Sequence, residues 1–514
     1  KERKVTKLTP IAPLASRAIP NVGRPQLIEE GYLDLATRHF VLLRKIERSY
    51  NNTGKITQEK IYDAHGDFSH ALSYQYNAHQ LPIKKVDGLG REWEFAYDAN
   101  GNLIKECPPD KRHWITYGYD KMNRLKSKTE HYRGAPSHCT QYRYDILGRK
   151  IQERDAFGRV TDFSYDSLGR VCEILYPETK DEKGDLYRPV IFKDYDTLGN
   201  CIRESEGVLK NGRKKKRYTT KKSYNVRGQV THIQHPDGTE EVFRYNLNGT
   251  LAKEKDRQGI VSEHRYDFLK RKTQTLVKKE GKHLRTLRWK YDALHLIEEV
   301  DAEGNATHYH YDQAGRLKRV VYADGSWKGY AYDALGRAYL LKEFYGPEDR
   351  DCSHTFTIFD QGDRVLEKRV EDALGNLLFK EMYRYDLRDN IIELSKKTQE
   401  HGTVTSKRSF NAYNFIQETE DALGQRTQYR YNFFHPLRGS VKGLQSTCQE
   451  ANGRRRLLSF DAHNRLFQEE VFAQDGQLLS SHFFRYDASF QQALAYHRVL
   501  AEGKKLRNYS IHQV

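Results

Sequence analysis

The chain has 514 residues, with 87 Lys and Arg against 70 Asp and Glu and a formal net charge of +17. That length suggests about three domains unless the chain is a single repeat array, and the basic balance favours polyanions at low salt without bearing on the fold. No stretch approaches the roughly 20 apolar residues of a membrane helix, and the six cysteines (Cys107, Cys139, Cys172, Cys201, Cys352 and Cys448) show no Cys-x-x-Cys pair and no histidine at ligand spacing, which argues against a zinc site or disulfide framework.

In chain order, residues 1–30 carry Pro10, Pro13, Pro20 and Pro25 among basic residues and predict an irregular leader. The opening Lys1-Glu2-Arg3-Lys4 has neither a methionine nor an apolar signal core, so the chain reads as an internal piece of a longer product, with any export signal outside it. Leu33 to Ile46 fits either a short helix or degenerate strands. Residues 31–495 are a repeat array. Its clearest stretch runs Tyr144-Asp145-Ile146-Leu147-Gly148-Arg149, then Asp155-Ala156-Phe157-Gly158-Arg159, then Tyr165-Asp166-Ser167-Leu168-Gly169-Arg170, a Tyr-to-Tyr step of 21 with a half-unit between. Tyr76 to Tyr97, Tyr224 to Tyr245 and Tyr311 to Tyr332 repeat the step.

Each half-unit has the length of one strand and one hairpin connection. Asp can bond the backbone two residues on and Gly supplies positive φ, so Asp-x-x-Gly predicts a tight reversal. Before many of the turns, aromatic residues alternate with charged, polar or small ones, as in Phe95 and Tyr97 around Ala96, or Tyr309 and Tyr311 around His310. Such residues share one face of a strand and predict aromatic ladders on one side of a sheet whose other side is wet. With 35 Tyr and 2 Met, the apolar content suits half-buried strands. The step stretches to 29 between Tyr195 and Tyr224, where residues 206–222 include Arg213-Lys214-Lys215-Lys216-Arg217, and it stretches again around His131 to Thr140 and around Pro347. These predict lengthened loops. Residues 496–514 form a short basic tail, too short for an independent domain.

The Tyr-Asp-x-x-Gly-Arg unit at this spacing resembles the YD, or RHS, repeat of Rhs polymorphic toxins, insecticidal toxin-complex B and C subunits and teneurins. It is carried by Tyr165 to Arg170, Tyr311-Asp312-Gln313-Ala314-Gly315-Arg316 and Tyr332-Asp333-Ala334-Leu335-Gly336-Arg337, and covers residues 50 to 490. The resemblance implies an all-β fold of antiparallel hairpins stacked into a spiral sheet or hollow shell, here an incomplete one. It also implies a secreted or cell-surface setting, secretion-system or toxin-complex partners, and a C-terminal toxin or effector released by self-cleavage at an Asp-Pro motif. No Asp-Pro occurs in this chain.

The candidate residues therefore divide into a repeat set and a charged set. Tyr97, Asp98 and Gly101, with Tyr144, Asp145, Gly148 and Arg149, Tyr165, Asp166, Gly169 and Arg170, Tyr311, Asp312, Gly315 and Arg316, and Tyr332, Asp333, Gly336 and Arg337, read as ladder and turn residues, because one chemistry needs one constellation rather than a copy per turn. The arginines are expected to lay their stems over a neighbouring Tyr and meet a turn carboxylate. Arg213, Lys214, Lys215, Lys216 and Arg217 are the candidate polyanion site, for an anionic glycan rather than a specific nucleic acid, weighed against a solvated loop. His308 and His310 lie two apart on a strand, but a third metal ligand is missing. The reading is of a structural protein without a cofactor or catalytic centre.

Overall fold

A computed structural model of the chain describes residues 3–11, 23–34, 36–180, 186–346, 352–398, 402–438, 441–461, 464–486, 492–499 and 507–511. Pro13, Pro20, Pro347 and most of the predicted basic tail lie outside them. Among the described residues every regular element is a β-strand, and successive strands pair antiparallel in an open sheet. The chain divides into two units, residues 1–114 with 263–407 and residues 115–262 with 408–514, each assembled from two separate stretches.

The repeat fixes the hairpin geometry. Strand Ala135–Tyr144 pairs with Lys150–Arg154, and the register shifts at Tyr144, which faces Lys150 across a five-residue loop. Within that loop the Gly148 N–H donates to the Asp145 carbonyl at 3.1 Å and the Asp145 N–H to the Arg149 carbonyl at 3.0 Å. This is a type I turn closed by a left-handed residue in a bulge, and Gly148 holds φ at 81° without the steric cost a Cβ would bring. The same pair of bonds recurs at Asp166, Asp312 and Asp333.

Burial follows the alternation. In Ala306–Tyr311, His308 and His310 are exposed while Thr307, Tyr309 and Tyr311 are half-buried. In Lys282–Tyr291, Arg288 and Lys290 are exposed while Trp289 and Tyr291 are covered. Few of the described side chains are fully buried; Pro189, Val190 and Ser205 are, where Leu186–Tyr195 pairs with Cys201–Lys210. The wall is thus held mainly by half-covered aromatic rings and ladder hydrogen bonds.

Several expectations need correction. The predicted irregular leader holds two strands, Arg3–Pro10 and Pro25–Leu33, paired from Arg3↔Leu33 to Pro10↔Pro25. The prolines sit at the end of the ladder, where a missing N–H breaks no central bond. Of the two readings left open for Leu33 to Ile46, the described residues take the strand one at either end: Leu33 closes Pro25–Leu33 and Phe40 opens Phe40–Tyr50, with Asp34 accepting the Ala36 N–H at 2.8 Å between them. The stretch 206–222 is no loop: Cys201–Lys210 and Arg213–Tyr224 extend the ladder to a reversal at Asn211-Gly212, both with positive φ (52° and 73°). Asn-Gly is the pair a two-residue hairpin turn requires, so the extra residues lengthen two strands rather than a coil. Leu125–Tyr132 and Ala135–Tyr144 lengthen in the same way around Gly134. The described parts of the tail are strands too, Gln492–Val499 pairing with Arg507–Ile511.

Candidate functional site

In the Asp145 turn, carboxylate Oδ1 accepts the N–H groups of Leu147 (3.0 Å) and Arg149 (2.9 Å), while Oδ2 accepts Arg149 Nε at 2.6 Å. One carboxylate therefore closes the turn and aims the guanidinium. Arg149 then lies over the ring of Tyr165, 4.8 Å from its centroid, and the Tyr165 hydroxyl donates to the carbonyl of Lys150, the residue after Arg149, at 2.7 Å. The Tyr of one repeat thereby covers the Arg of the repeat before it.

The clasp recurs along the chain. Arg170 pairs with Asp166 (2.7 Å) and lies over Tyr195, and its Nη1 reaches the Asp196 carbonyl at 2.9 Å. Arg316 pairs with Asp312 and lies 4.5 Å from the Tyr332 centroid, whose hydroxyl bonds the Leu317 carbonyl at 2.7 Å. Arg337 pairs with Asp333 and lies over Phe359, which has no hydroxyl to return. Tyr144 and Tyr311 bond the carbonyls of Leu125 and Leu296. At Tyr97 the hydroxyl bond to Pro82 remains, but Asn102 replaces the arginine and bonds Asp98 through its amide. Gly101, Gly169, Gly315 and Gly336 all hold positive φ.

The electrostatics follow this geometry. The Arg170 backbone N–H, with help from its guanidinium, holds the Asp166 carboxyl below its ordinary value against partial desolvation. Burial pushes the Tyr332 and Tyr311 hydroxyls up, so both remain neutral donors over the physiological range. These are groups shaped for permanent hydrogen bonding, not for proton transfer. Among the described residues no cluster of three His, Cys, Asp or Glu has the geometry to hold a metal, and His308 and His310 are simply exposed on their strand. The six thiols are half-buried and unpaired with one another.

The basic residues stand on the extended arm. Arg213 to Arg217 are all exposed. Lys214 reaches Glu173 at 2.5 Å and Lys216 lies 5.0 Å from the Phe192 ring centroid, so these two lean on the same wall. Lys215 pairs in register with Val208 and Arg213 with Lys210, while the register skips Arg217 at a bulge.

Contacts between turns far apart in sequence were not anticipated. In the first unit, the Ala64 N–H donates to the Ala334 carbonyl, Arg91 Nη1 reaches Asp389 at 2.7 Å, Arg388 Nε pairs with Asp110, and Leu89 presses on Gly362, where an added Cβ would lie 2.7 Å from Leu Cδ1. In the second unit, Arg159 Nη1 reaches Asn464 at 2.9 Å, and the Tyr413 hydroxyl bonds the Pro136 carbonyl at 2.9 Å while its ring stacks on His138, 4.9 Å between centroids, beside Phe433. Burial pushes the His138 imidazole down, against Glu130 and Asp155, which raise it. The sequence carries a signal for some of them. Two of the turns that make these contacts carry Asp389 and Asn464 at the left-handed position usually held by Gly, and each lends its side-chain oxygen to the neighbour while tolerating the backbone.

Repeated Asp-x-x-Gly hairpins, several of them fastened to the next by a Tyr–Arg–Asp clasp, define a protein of structural repeats rather than one built around a single reactive centre. The Teneurin YD-shell family model matches residues 38–182 and 193–350, and the chain belongs to that family. Curated relatives include double-stranded DNA deaminase toxin A of Burkholderia cenocepacia (strain H111), 23% identical over 49% of this chain and 15% of that protein. Human teneurin-4 is 23% identical over 60% of this chain and 11% of its own length. The probable deoxyribonuclease RhsB of Dickeya dadantii (strain 3937) is 24% identical over 73% and 22%. This chain thus spans less than a quarter of the length of each of these relatives. Among solved structures, the TcdB2-TccC3-Cdc42 complex aligns over 95% of this chain and 32% of its own, at 11% identity and a TM-score of 0.35.

Proposed function

We propose that this chain is a shell segment: a wall of clasped hairpins that encloses or presents a toxin or effector polypeptide outside the 514 residues. The observation that carries the reading is the clasp itself. Asp fixes Arg, Arg lies over the ring of the next Tyr, and Tyr returns its hydroxyl to the residue after Arg. A hairpin that carries the clasp is locked to its neighbour as well as closed on itself, which suits a stiff wall. Family membership supports a shell role, and the names of two relatives, a deaminase toxin and a probable deoxyribonuclease, supply the cargo class by analogy. Toxin-complex or secretion-system components are the natural partners, and a secreted or surface setting follows from the same reading. No helix among the described residues is long and apolar enough to cross a membrane. The segment alone is expected to be inert in nuclease and deaminase assays. Electron microscopy of the full-length product tests the reading: a hollow body with internal density supports it, and a solid rod or compact globule overturns it.

A second reading is carried by the arm at Arg213 to Arg217, whose exposed cations suit an anionic glycan on a cell surface. Retention on a heparin column should weaken with salt and fall sharply when the five residues become Gln. Retention unchanged by either rejects it.

A further inference from the structure

At two turns of the first unit the clasp lacks its acidic half. Arg24 follows Gly23 and lies over the Tyr50 ring, whose hydroxyl bonds the Pro25 carbonyl at 2.7 Å, as in the clasps described above. Four residues before Arg24, however, stands Pro20 rather than an aspartate, and the guanidinium sits 5.9 Å from the ring centroid, against 4.8 Å for Arg149 over Tyr165. It presses instead on the turn that ends in Lys55: a Cβ added at Gly54 would lie 2.3 Å from the Arg24 guanidinium. That turn carries Asn51 and Lys55 in place of Asp and Arg. Asn51 Oδ1 accepts the N–H groups of Thr53 (3.1 Å) and Lys55 (2.9 Å), so the reversal keeps its shape without a carboxylate. The Tyr76 hydroxyl still bonds the carbonyl of Ile56, the residue after Lys55, at 2.7 Å. Among the described residues no cation lies over the Tyr76 ring, and neither Arg24 nor Lys55 has an acidic partner.

A cleft of about 450 Å³ opens at this place, lined by Tyr50, Tyr74, Tyr76, Arg24 and Lys55 and by the ion pair of Arg48 with Glu59 at 2.7 Å. Because Arg48 neutralises the Glu59 carboxylate, the charges of Arg24 and Lys55 are left uncompensated. Burial pushes the Tyr74 hydroxyl up, so it stays a neutral donor, and it has no hydrogen-bond partner among the described residues. We propose that this cleft binds an acidic sugar, the uronate unit of a glycan, whose ring stacks on the tyrosines and whose carboxylate takes the place of the missing aspartate beside Arg24 and Lys55. A tyrosine ring offers an apolar face to the C–H face of a pyranose, the two cations give charge-assisted hydrogen bonds to a carboxylate, and the volume suits a small ligand. A simple anion would use the cations without the rings, and a neutral sugar the rings without the cations. The site shares no residue with the arm at Arg213 to Arg217 and stands apart from it and from any cargo.

The test is a titration of the full chain with glucuronate, followed by saturation-transfer NMR at about 0.15 M salt, where non-specific attraction to a chain of net charge +17 is screened. Glucose, which lacks the charge, and acetate, which lacks the ring, are the controls. Glucuronate should bind with a dissociation constant in the millimolar range, and each control about tenfold more weakly or less. Arg24→Gln combined with Lys55→Gln should weaken glucuronate about tenfold. Both positions are exposed, and circular dichroism identical to wild type confirms that the fold is kept. Tyr74→Phe removes a single hydroxyl and should weaken binding about threefold. A variant with the five residues of the arm at Arg213 to Arg217 changed to Gln should bind glucuronate as the wild type does. No binding of glucuronate, glucose or acetate binding as tightly, cleft variants that bind as the wild type does, or loss of binding in the arm variant would overturn the proposal.

Discussion

The Asp145 and Asp256 turns share one backbone. In each, the Asp N–H bonds the carbonyl four residues on, the Gly N–H returns to the Asp carbonyl, and Oδ1 accepts two further N–H groups. The Asp145 turn, however, ends in Arg149, which is held by the carboxylate and lies over Tyr165, whereas the Asp256 turn ends in Ile260 and follows Lys255 rather than a tyrosine. Closing a hairpin and joining hairpins are thus separate tasks given to different residues. Asp and Gly do the first in both turns; Tyr and Arg add the second in the Asp145 turn.

The comparison can be broken most severely at the tyrosine. Replacing Tyr165 by Ala removes the ring over Arg149 and the hydroxyl bond to Lys150, and should cost about 3 kcal/mol in urea unfolding. Lys255→Ala, at the matching place before a half-unit turn, should stay within about 0.5 kcal/mol. Next come the glycines, which test what the two turns share: Gly169→Ala and Gly259→Ala, at φ of 80° and 78°, should each cost about 1–2 kcal/mol, alike in both turns. A large difference between them would mean that the turns are not equivalent. Arg149→Lys keeps the charge but loses the planar fork, and should cost about 1 kcal/mol.

Acid gives the mildest effect. Because the folded Asp166 carboxyl titrates below its unfolded value of 3.8, its contribution is present above that value and is lost as pH falls through the lower, folded one. Melting temperature should therefore hold flat through neutrality and decline only below about pH 4, and Asp166→Asn should make that acid decline shallower. A decline already under way at pH 6 would point to histidine instead.

Much of this was legible in the chain. Asp145, Gly148, Arg149 and Tyr165 occupy the turn and ladder roles that their spacing predicts, because hairpin closure is local and its chemistry is written within five residues. The hydroxyl bond from Tyr165 to Lys150 was not foreseen, since it depends on how two strands lie side by side. Nor were Arg159 with Asn464 and Arg91 with Asp389, which join residues about 300 apart that periodicity does not pair. The lysine arm was misplaced for a different reason. Its charge suggested a loop, while the Asn211-Gly212 reversal that makes it a hairpin stood beside it unread.

The most direct test of the clasp is a double-mutant cycle between Arg149 and Tyr165 in the full chain, using Arg149→Met and Tyr165→Leu and reading hydrogen-exchange protection over residues 145–175. A cation held over a half-buried ring predicts a coupling of about 0.5–1 kcal/mol. Effects that add to within about 0.3 kcal/mol would contradict it, leaving the arginine a partner of its own turn and nothing more.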